Sequence, residues 1–357
     1  MNTDQLYKTI QLADKANAAL MIWGSPALGK SSIVKQYAKD NELHLVDFRL
    51  AQCGVTDLKG FPNIKDDSDK AVFLPPKEFI LEGDEIPNGK KGVLLFFDEI
   101  SSASKNIQAA SYQIVLDRVI NQTPLHKNTH IVCAGNLLTD GAVVNKMSTA
   151  LVSRMMHVTL DPNVDTWLKW AALKGVHNTV RSYISFRRQN LYTFKPNLEG
   201  AYSSPRTWEM VSELMYEGLE STPELVTPIL TGLLGKGVAN EFKVFMNEAI
   251  PSVSELMNNP ENVKLPSNDP GFMYALSGLV TSICEEMCEM TKEEESASKL
   301  KVDSLRVLLD RMPSEFKTKV IKSLLLGEYD EIAEENRNGM DVLIVDKCSE
   351  LSDILFG

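Results

Sequence analysis

Over the first 160 or so residues, short apolar runs alternate with longer segments of helical pattern. The runs Ala19–Trp23, His44–Phe48, Val93–Phe97, His130–Ala134 and Met155–Leu160 read as strands. Between them, Ser31–Lys39, Ala103–Leu116 and Val143–Val152 read as helices. This alternation predicts an α/β fold, a parallel sheet covered by helices on both faces. A strand buried on both faces should be almost wholly apolar, and Val93–Phe97 is.

After Asp161 the pattern changes. Trp167, Trp170 and Ala171 fall at helical spacing, and from Pro205 onward the chain reads as successive helices separated by Pro and Gly. Leu305, Leu308, Leu309 and Met312 form an i, i+3, i+4, i+7 stripe that Pro313 stops, which marks the core face of a helix. The segment Asn63–Lys91 is rich in Asp, Lys, Pro and Gly and predicts a long loop or hairpin inserted before the central strand. The acidic run Glu285–Glu295 reads as a solvated helix end and loop. No internal repeat is visible.

Composition narrows the function classes. A chain of 357 residues that is 43% hydrophobic can bury a substantial core and favours more than one domain. Lys and Arg number 37 against 48 Asp and Glu, a net charge of -11, with no stretch basic enough to neutralise a run of phosphates. Nucleic acid is therefore disfavoured as a partner. The opening MNTDQLYKTI lacks the basic start and apolar stretch of a secretory signal, and no other run is long enough to cross a bilayer. Cys53, Cys133, Cys284, Cys288 and Cys348 are odd in number and scattered, which predicts reduced thiols in a cytoplasm. Cys284 and Cys288, one helical turn apart, could bind a metal given two more ligands but read rather as packed side chains. His44, His126, His130, His157 and His177 show no metal-ligand spacing, so no catalytic metal held by histidines is expected.

Gly24-Ser25-Pro26-Ala27-Leu28-Gly29-Lys30-Ser31 satisfies GxxxxGK[ST] and lies directly after an apolar strand and before a helix, with Ser32 following in the first turn. Backbone N–H groups at such a turn make an anion site. Lys30 adds positive charge for outer phosphates, and the Ser31 hydroxyl can ligate Mg²⁺. A plain strand-to-helix turn has no need of Lys followed by Ser. Asp98 and Glu99 follow the wholly apolar strand, where an Asp can hold Mg²⁺ through its waters and a Glu can deprotonate an attacking water. The bland alternative is two solvated carboxylates opening a loop. Asn136 lies just past His130–Ala134, where ligands of open α/β sheets gather. Alone, Gly135-Asn136 reads as an ordinary turn. Its place after the two acidic residues favours a role in holding the nucleophilic water or the γ-phosphate.

With these pieces in this order, residues 15 to 215 resemble the AAA+ ATPases and, within them, the MoxR group. Further similarity lies in Arg49-Leu50-Ala51-Gln52 followed by Thr56-Asp57-Leu58-Lys59-Gly60, and in Asp98-Glu99-Ile100 leading to Gln108-Ala109-Ala110 and Leu116-Asp117-Arg118. The chain departs from the family at Ala27, where Gly is usual, at Met155, where Phe is usual, and in Cys133–Leu137, which lacks the common Thr and Pro. These departures indicate a divergent branch. The resemblance implies a P-loop NTPase core over residues 1–195 with an insert at about 63–91, a helical lid at 196–250 and a C-terminal helical extension at 251–357. It implies ATP and Mg²⁺ as cofactors. Ser153-Arg154 looks like an arginine finger that acts on a neighbouring subunit, the plain alternative being a helix-end arginine that offsets the helix dipole; Arg118 is a second candidate for such a contact and equally a surface ion-pair partner. Ser204-Pro205-Arg206-Thr207-Trp208 looks like the start of a sensor 2 helix, with Arg206 reading the nucleotide phosphates.

Such a protein would work as a homo-oligomer, commonly a hexameric ring, with Asn63–Lys91 and Val119–Thr129 facing the pore or a partner. The family often acts with proteins bearing a von Willebrand factor A domain. The expected function is therefore chaperone-like remodelling of a partner protein driven by ATP hydrolysis. Two alternatives stay open: a nucleic-acid motor or loader sharing the same ATP site, and a nucleotide-dependent scaffold that seldom turns ATP over.

Overall fold

Five parallel strands form the sheet that the apolar runs predict, each within one residue of its expected ends. The structure, a computed structural model, describes every residue except 65–70, 141–144, 197–198, 248–250, 267–268, 327–333 and 356–357. The chain divides into two compact units: Met1–Asn163 with Lys195–Leu198, and Val164–Phe194 with Glu199–Gly357.

In chain order the first unit contains α1 (Thr3–Lys15), β1 (Leu20–Trp23), α2 (Lys30–Asp40), β2 (Leu43–Arg49), α3 (Val55–Lys59), β3 (Phe61–Ile64) and β4 (Ala71–Leu74). It continues with β5 (Gly92–Asp98), α4 (Lys105–Asp117), β6 (Val119–Ile120), β7 (Thr123–Pro124), β8 (Thr129–Gly135), α5 (Thr149–Val152) and β9 (Met156–Thr159). The main sheet has the order β2-β5-β8-β1-β9, and every neighbouring pair is parallel. Val93 to Phe97 are each at most 2% exposed. Burial on this scale contributes about 1.5–3 kcal/mol for each large apolar side chain and holds β5 in the middle of the layers.

Two helices differ from expectation. The sequence pattern did not predict α1, whose buried stripe is only Leu6, Ile10 and Ala13. It is started by a capping box in which Asn2 Oδ1 accepts from Gln5 N at 2.9 Å and Gln5 Oε1 accepts from Asn2 N at 3.0 Å. The helix expected over Val143–Val152 is shorter. Residues 141–144 lie outside the described residues, and α5 begins only at Thr149, capped by Ser148. Upstream, the Asn145 N–H donates to Ser101 O at 2.7 Å and its side-chain amide to Ala103 O at 2.9 Å, so this stretch is tied to the loop after β5 instead of coiling.

Asn63–Lys91 and Val119–Thr129, the segments expected to face a pore or partner, each contain paired strands, the first pair beginning two residues early at Phe61 and ending at Leu74. β3 and β4 pair antiparallel from Phe61–Leu74 to Ile64–Ala71, and β6 pairs with β7. The loop after β4 is pinned to the second insertion, with His126 N donating to Ile80 O and Glu82 N to Pro124 O, both at 2.9 Å. Phe61, Ile64, Val72, Phe73 and Leu74 on the first hairpin are exposed.

The second unit is all helical: α6 (Val164–Leu173), α7 (Asn178–Phe186), α8 (Pro205–Tyr216), α9 (Pro223–Leu234), α10 (Lys236–Met246), α11 (Val253–Asn258), α12 (Pro270–Glu289), α13 (Lys292–Ala297), α14 (Val302–Arg311), α15 (Ser314–Leu326), α16 (Met340–Glu350) and α17 (Ser352–Leu355). Trp167, Ala171, Tyr183 and Ile184 share one core with Trp208, Val211 and Phe242. That shared core explains why Val164–Phe194 belongs to the helical unit. Leu305, Leu308, Leu309 and Met312 are buried together, as their spacing predicts. One member of the acidic run is not a solvated residue of a helix end: Glu285 pairs with the buried Arg181 at 2.8 Å. Among the described residues, no helix is long and apolar enough to cross a membrane.

Candidate functional site

β1 ends at Trp23, and the chain passes through Gly24–Gly29 into α2. The turn is tied to the neighbouring strand by Gly24 N, which donates to Gly135 O at 3.3 Å. Gly29 caps α2 with φ at +87°, a conformation that glycine adopts without strain. Ala27 also has a positive φ, +61°. For an L-residue that conformation costs about 1–2 kcal/mol, so the loop keeps a left-handed shape although the usual glycine is missing. Ala27→Gly is expected to stabilise the nucleotide-free protein by about 0.5–1 kcal/mol, the strain relief less the extra unfolded-state entropy. A thermal melt checks this: the midpoint should rise, and a fall would show that the backbone is unstrained.

The start of α2 presents Lys30 and Ser31. Lys30 is 8% exposed. Its ammonium donates to Gly24 O at 2.6 Å, Ser25 O at 2.9 Å and Asn136 Oδ1 at 3.1 Å. The Ser31 hydroxyl donates to Asp98 Oδ2 at 2.6 Å, and the other Asp98 oxygen accepts from Glu99 N at 2.9 Å. Glu99 has φ at +58°. Its half-buried side chain makes no hydrogen bond or ion pair among the described residues. Strained backbone of this kind persists where surrounding contacts over-determine it, here the Ile100 N to Ala134 O and Ser102 N to Glu99 O bonds, at 3.0 and 2.9 Å.

Asn136 reaches Lys30 because β8 lies between β1 and β5. Gly135 is not part of a plain turn. It is the last residue of β8, level with Trp23, and a Cβ there would come within 2.7 Å of Ser101 Oγ and 2.8 Å of Met21 Cε. Ser101 is fully buried and its Oγ accepts from Asn136 N at 3.0 Å. Sequence patterning did not single out Ser101 or Asp140. Asp140 is 8% exposed, accepts from Ser25 Oγ at 3.0 Å through Oδ1, and accepts from Leu137 N at 3.2 Å through Oδ2. The available signal was an Asp-Gly pair shortly after the end of a buried strand.

Gly24 to Ser31, Asp98, Glu99 and Asn136 thus lie together at the carboxyl ends of the three inner strands β1, β5 and β8. Pro26 and Leu28 shape the loop, with Leu28 buried, and Ser32 is exposed at the third position of α2. Arg154 is not brought there. It lies in the turn before β9, whose first residue, Met156, is level with Leu20 at the start of β1. The four residues of β1 therefore separate it from the loop, about 13 Å of strand. Arg154 is exposed. Arg118 donates to Thr129 O, and to Asn17 O at 2.9 Å, so backbone groups of its own chain engage it. Burial pulls its pKa below the usual arginine value. Arg206 belongs to the helical unit and is exposed in the first turn of α8, which starts, as expected, with Ser204 as cap and Pro205 first. A cavity of about 560 Å³ lined by Phe48, Cys53, Asp57, Phe61, Leu74 and Glu78 lies beside the first hairpin and does not include the loop residues.

Loop, buried lysine, acidic strand end and intervening strand together decide the fold. It is that of a P-loop NTPase.

No protein-family model matches the sequence, and no curated protein does. Among solved structures, the chain is similar to a point mutant of RuvB from Thermotoga maritima, at 13% identity and a TM-score of 0.35 over 87% of this chain and 83% of that one. It is also similar to NtrX from Brucella abortus, at 11% identity and a TM-score of 0.37 over 90% and 67% of the two chains. NtrX in complex with ADP is matched at 13% identity and a TM-score of 0.36 over 77% of this chain and 62% of that one. At this level the likeness carries no functional weight beside the chain's own geometry.

Proposed function

We propose that this chain is a Mg²⁺-dependent ATPase of the AAA+ class, of a divergent MoxR-like branch, that works as a homo-oligomeric ring to remodel a partner protein. The observation that carries the ATPase reading is the 2.6 Å contact between Ser31 Oγ and Asp98 Oδ2, beside a buried lysine held 3.1 Å from Asn136. Two hard oxygen groups brought together next to a phosphate loop suit Mg²⁺ and a triphosphate. When bound, Mg²⁺-ATP would supply the phosphoanhydride bond that is hydrolysed.

In this reading Lys30 and the amides at the start of α2 neutralise outer phosphate charge, and Ser31 and Asp98 hold the metal. Glu99, whose side chain has no partner of its own among the described residues, takes the proton of the attacking water. Asn136 orients that water or the outer phosphate. Gly24 to Gly29 and Ser32 complete the binding loop. Arg154 lies away from the site of its own subunit, which supports a role in the site of the next. Arg206 reads the phosphates from the helical lid, taken as residues 196–250, with 251–357 as an extension.

The exposed apolar hairpin β3–β4 and the β6–β7 insertion support a protein partner, for which a von Willebrand factor A domain protein is the family precedent. The net charge of -11 weighs against nucleic acid. The free cysteines support a cytoplasmic setting. Phosphate release from Mg²⁺-ATP, with and without single-stranded and duplex DNA at low salt, tests the reading. Turnover indifferent to DNA is expected. Stimulation by DNA would favour a nucleic-acid motor, and bound ATP without release would favour a scaffold.

A further inference from the structure

The mechanism above leaves one buried carboxylate at the phosphate loop unused. Asp140 stands against Ser25, the second residue of the loop, through a 3.0 Å hydrogen bond. Its other oxygen is held by Leu137 N at 3.2 Å, so the carboxylate is tethered on both sides and cannot swing freely away. The backbone carbonyl of the same Ser25 accepts from Lys30 Nζ at 2.9 Å. A negative charge is therefore fixed one residue contact away from the groups expected to hold outer phosphates. A carboxylate there opposes the charge of a bound nucleotide, and the opposition grows with each added phosphoryl group. Hydrogen bonding alone would not require an acid, since a neutral amide could serve both neighbours.

We propose that Asp140 sets the preference of the site between nucleoside triphosphate and diphosphate, weakening the triphosphate more than the diphosphate. The proposal rests on the nucleotide-binding reading given above. Asp140 is a specificity-determining residue in this account and takes no part in bond breaking. Its effect is to lower triphosphate affinity relative to diphosphate affinity, so that triphosphate binding is less tight than loop and lysine alone would make it.

Asp140→Asn isolates the charge. The amide oxygen can still accept from Leu137 N, and the amide nitrogen can donate to the Ser25 hydroxyl, which rotates to accept. Asp140→Ala removes the charge without adding a donor and serves as the second variant. The experiment is calorimetric titration of the full chain with Mg²⁺-ADP and with a Mg²⁺-bound non-hydrolysable ATP analogue, folding being checked by circular dichroism. The ratio of analogue affinity to ADP affinity is expected to rise by about tenfold in both variants. A residue that merely props the loop would weaken both ligands by the same factor, and an unchanged ratio in a folded variant overturns the proposal. Should the wild-type chain bind neither ligand, the nucleotide reading itself falls and takes this proposal with it. An unchanged ratio with normal wild-type binding sinks the role of Asp140 alone.

Discussion

Glu99→Gln is expected to hold ATP while releasing phosphate at least about a hundredfold more slowly than the wild type, because an amide cannot take the proton of the attacking water. The geometry makes this separation of binding from chemistry sharp. The Glu99 side chain makes no hydrogen bond or ion pair among the described residues, so its isosteric replacement breaks no polar contact there. The 2.6 Å hydrogen bond of Ser31 to Asp98 is left intact. Lys30→Ala should behave in the opposite way. It removes a buried ammonium that donates to Gly24 O, Ser25 O and Asn136 Oδ1, and with it the positive charge proposed to face the phosphates, so the loss should appear in affinity first. Equilibrium binding of labelled ATP and single-turnover phosphate release distinguish the two. Normal turnover by Glu99→Gln would mean that the base lies elsewhere.

Arg154→Ala should lower turnover by about a thousandfold or more if the arginine completes a neighbouring site, since trans-acting arginines have effects of that size. Its position excludes direct service to its own site, because β1 separates it from the loop. Mixing Arg154→Ala subunits with Glu99→Gln subunits provides the decisive measurement. The first keep a competent base and the second keep a competent arginine, so interfaces pairing the two regain hydrolysis. An absence of recovery in intact mixed oligomers would show that the site is not shared.

The parts of the site legible in the sequence are those whose neighbours in the chain carry the signal. A wholly apolar run ending in Asp98-Glu99, and a glycine loop between strand and helix, identify themselves because burial on two faces and phosphate binding each impose a local composition. Asp140 was not legible in this way. Its importance comes from Ser25, 115 positions away, and only folding joins them. Asn136 was legible only through its order after the acidic pair, since Gly135-Asn136 could equally be a turn. The close packing of Ser101 on Gly135 explains why glycine stands there. Arg118 shows the same limit: the resemblance offered it as a contact to another subunit and its charge offered it equally as a surface ion-pair partner, and neither reading named the carbonyls of Asn17 and Thr129 to which the fold turns its guanidinium.

Sequence alone determined the five strands, the phosphate loop and the change to an all-helical second part, because each depends on periodicity or composition within a short window. Tertiary structure decided the rest: the strand order that sets β8 between β1 and β5, the late start of α5, the membership of Val164–Phe194 in the helical unit, and the placement of Asp140 and Arg154. These follow from hydrogen bonds and packing between residues far apart in the chain, whose partners no local pattern names. The N–H of Asn145, bound to Ser101 O and so withheld from a helix, is the plainest case.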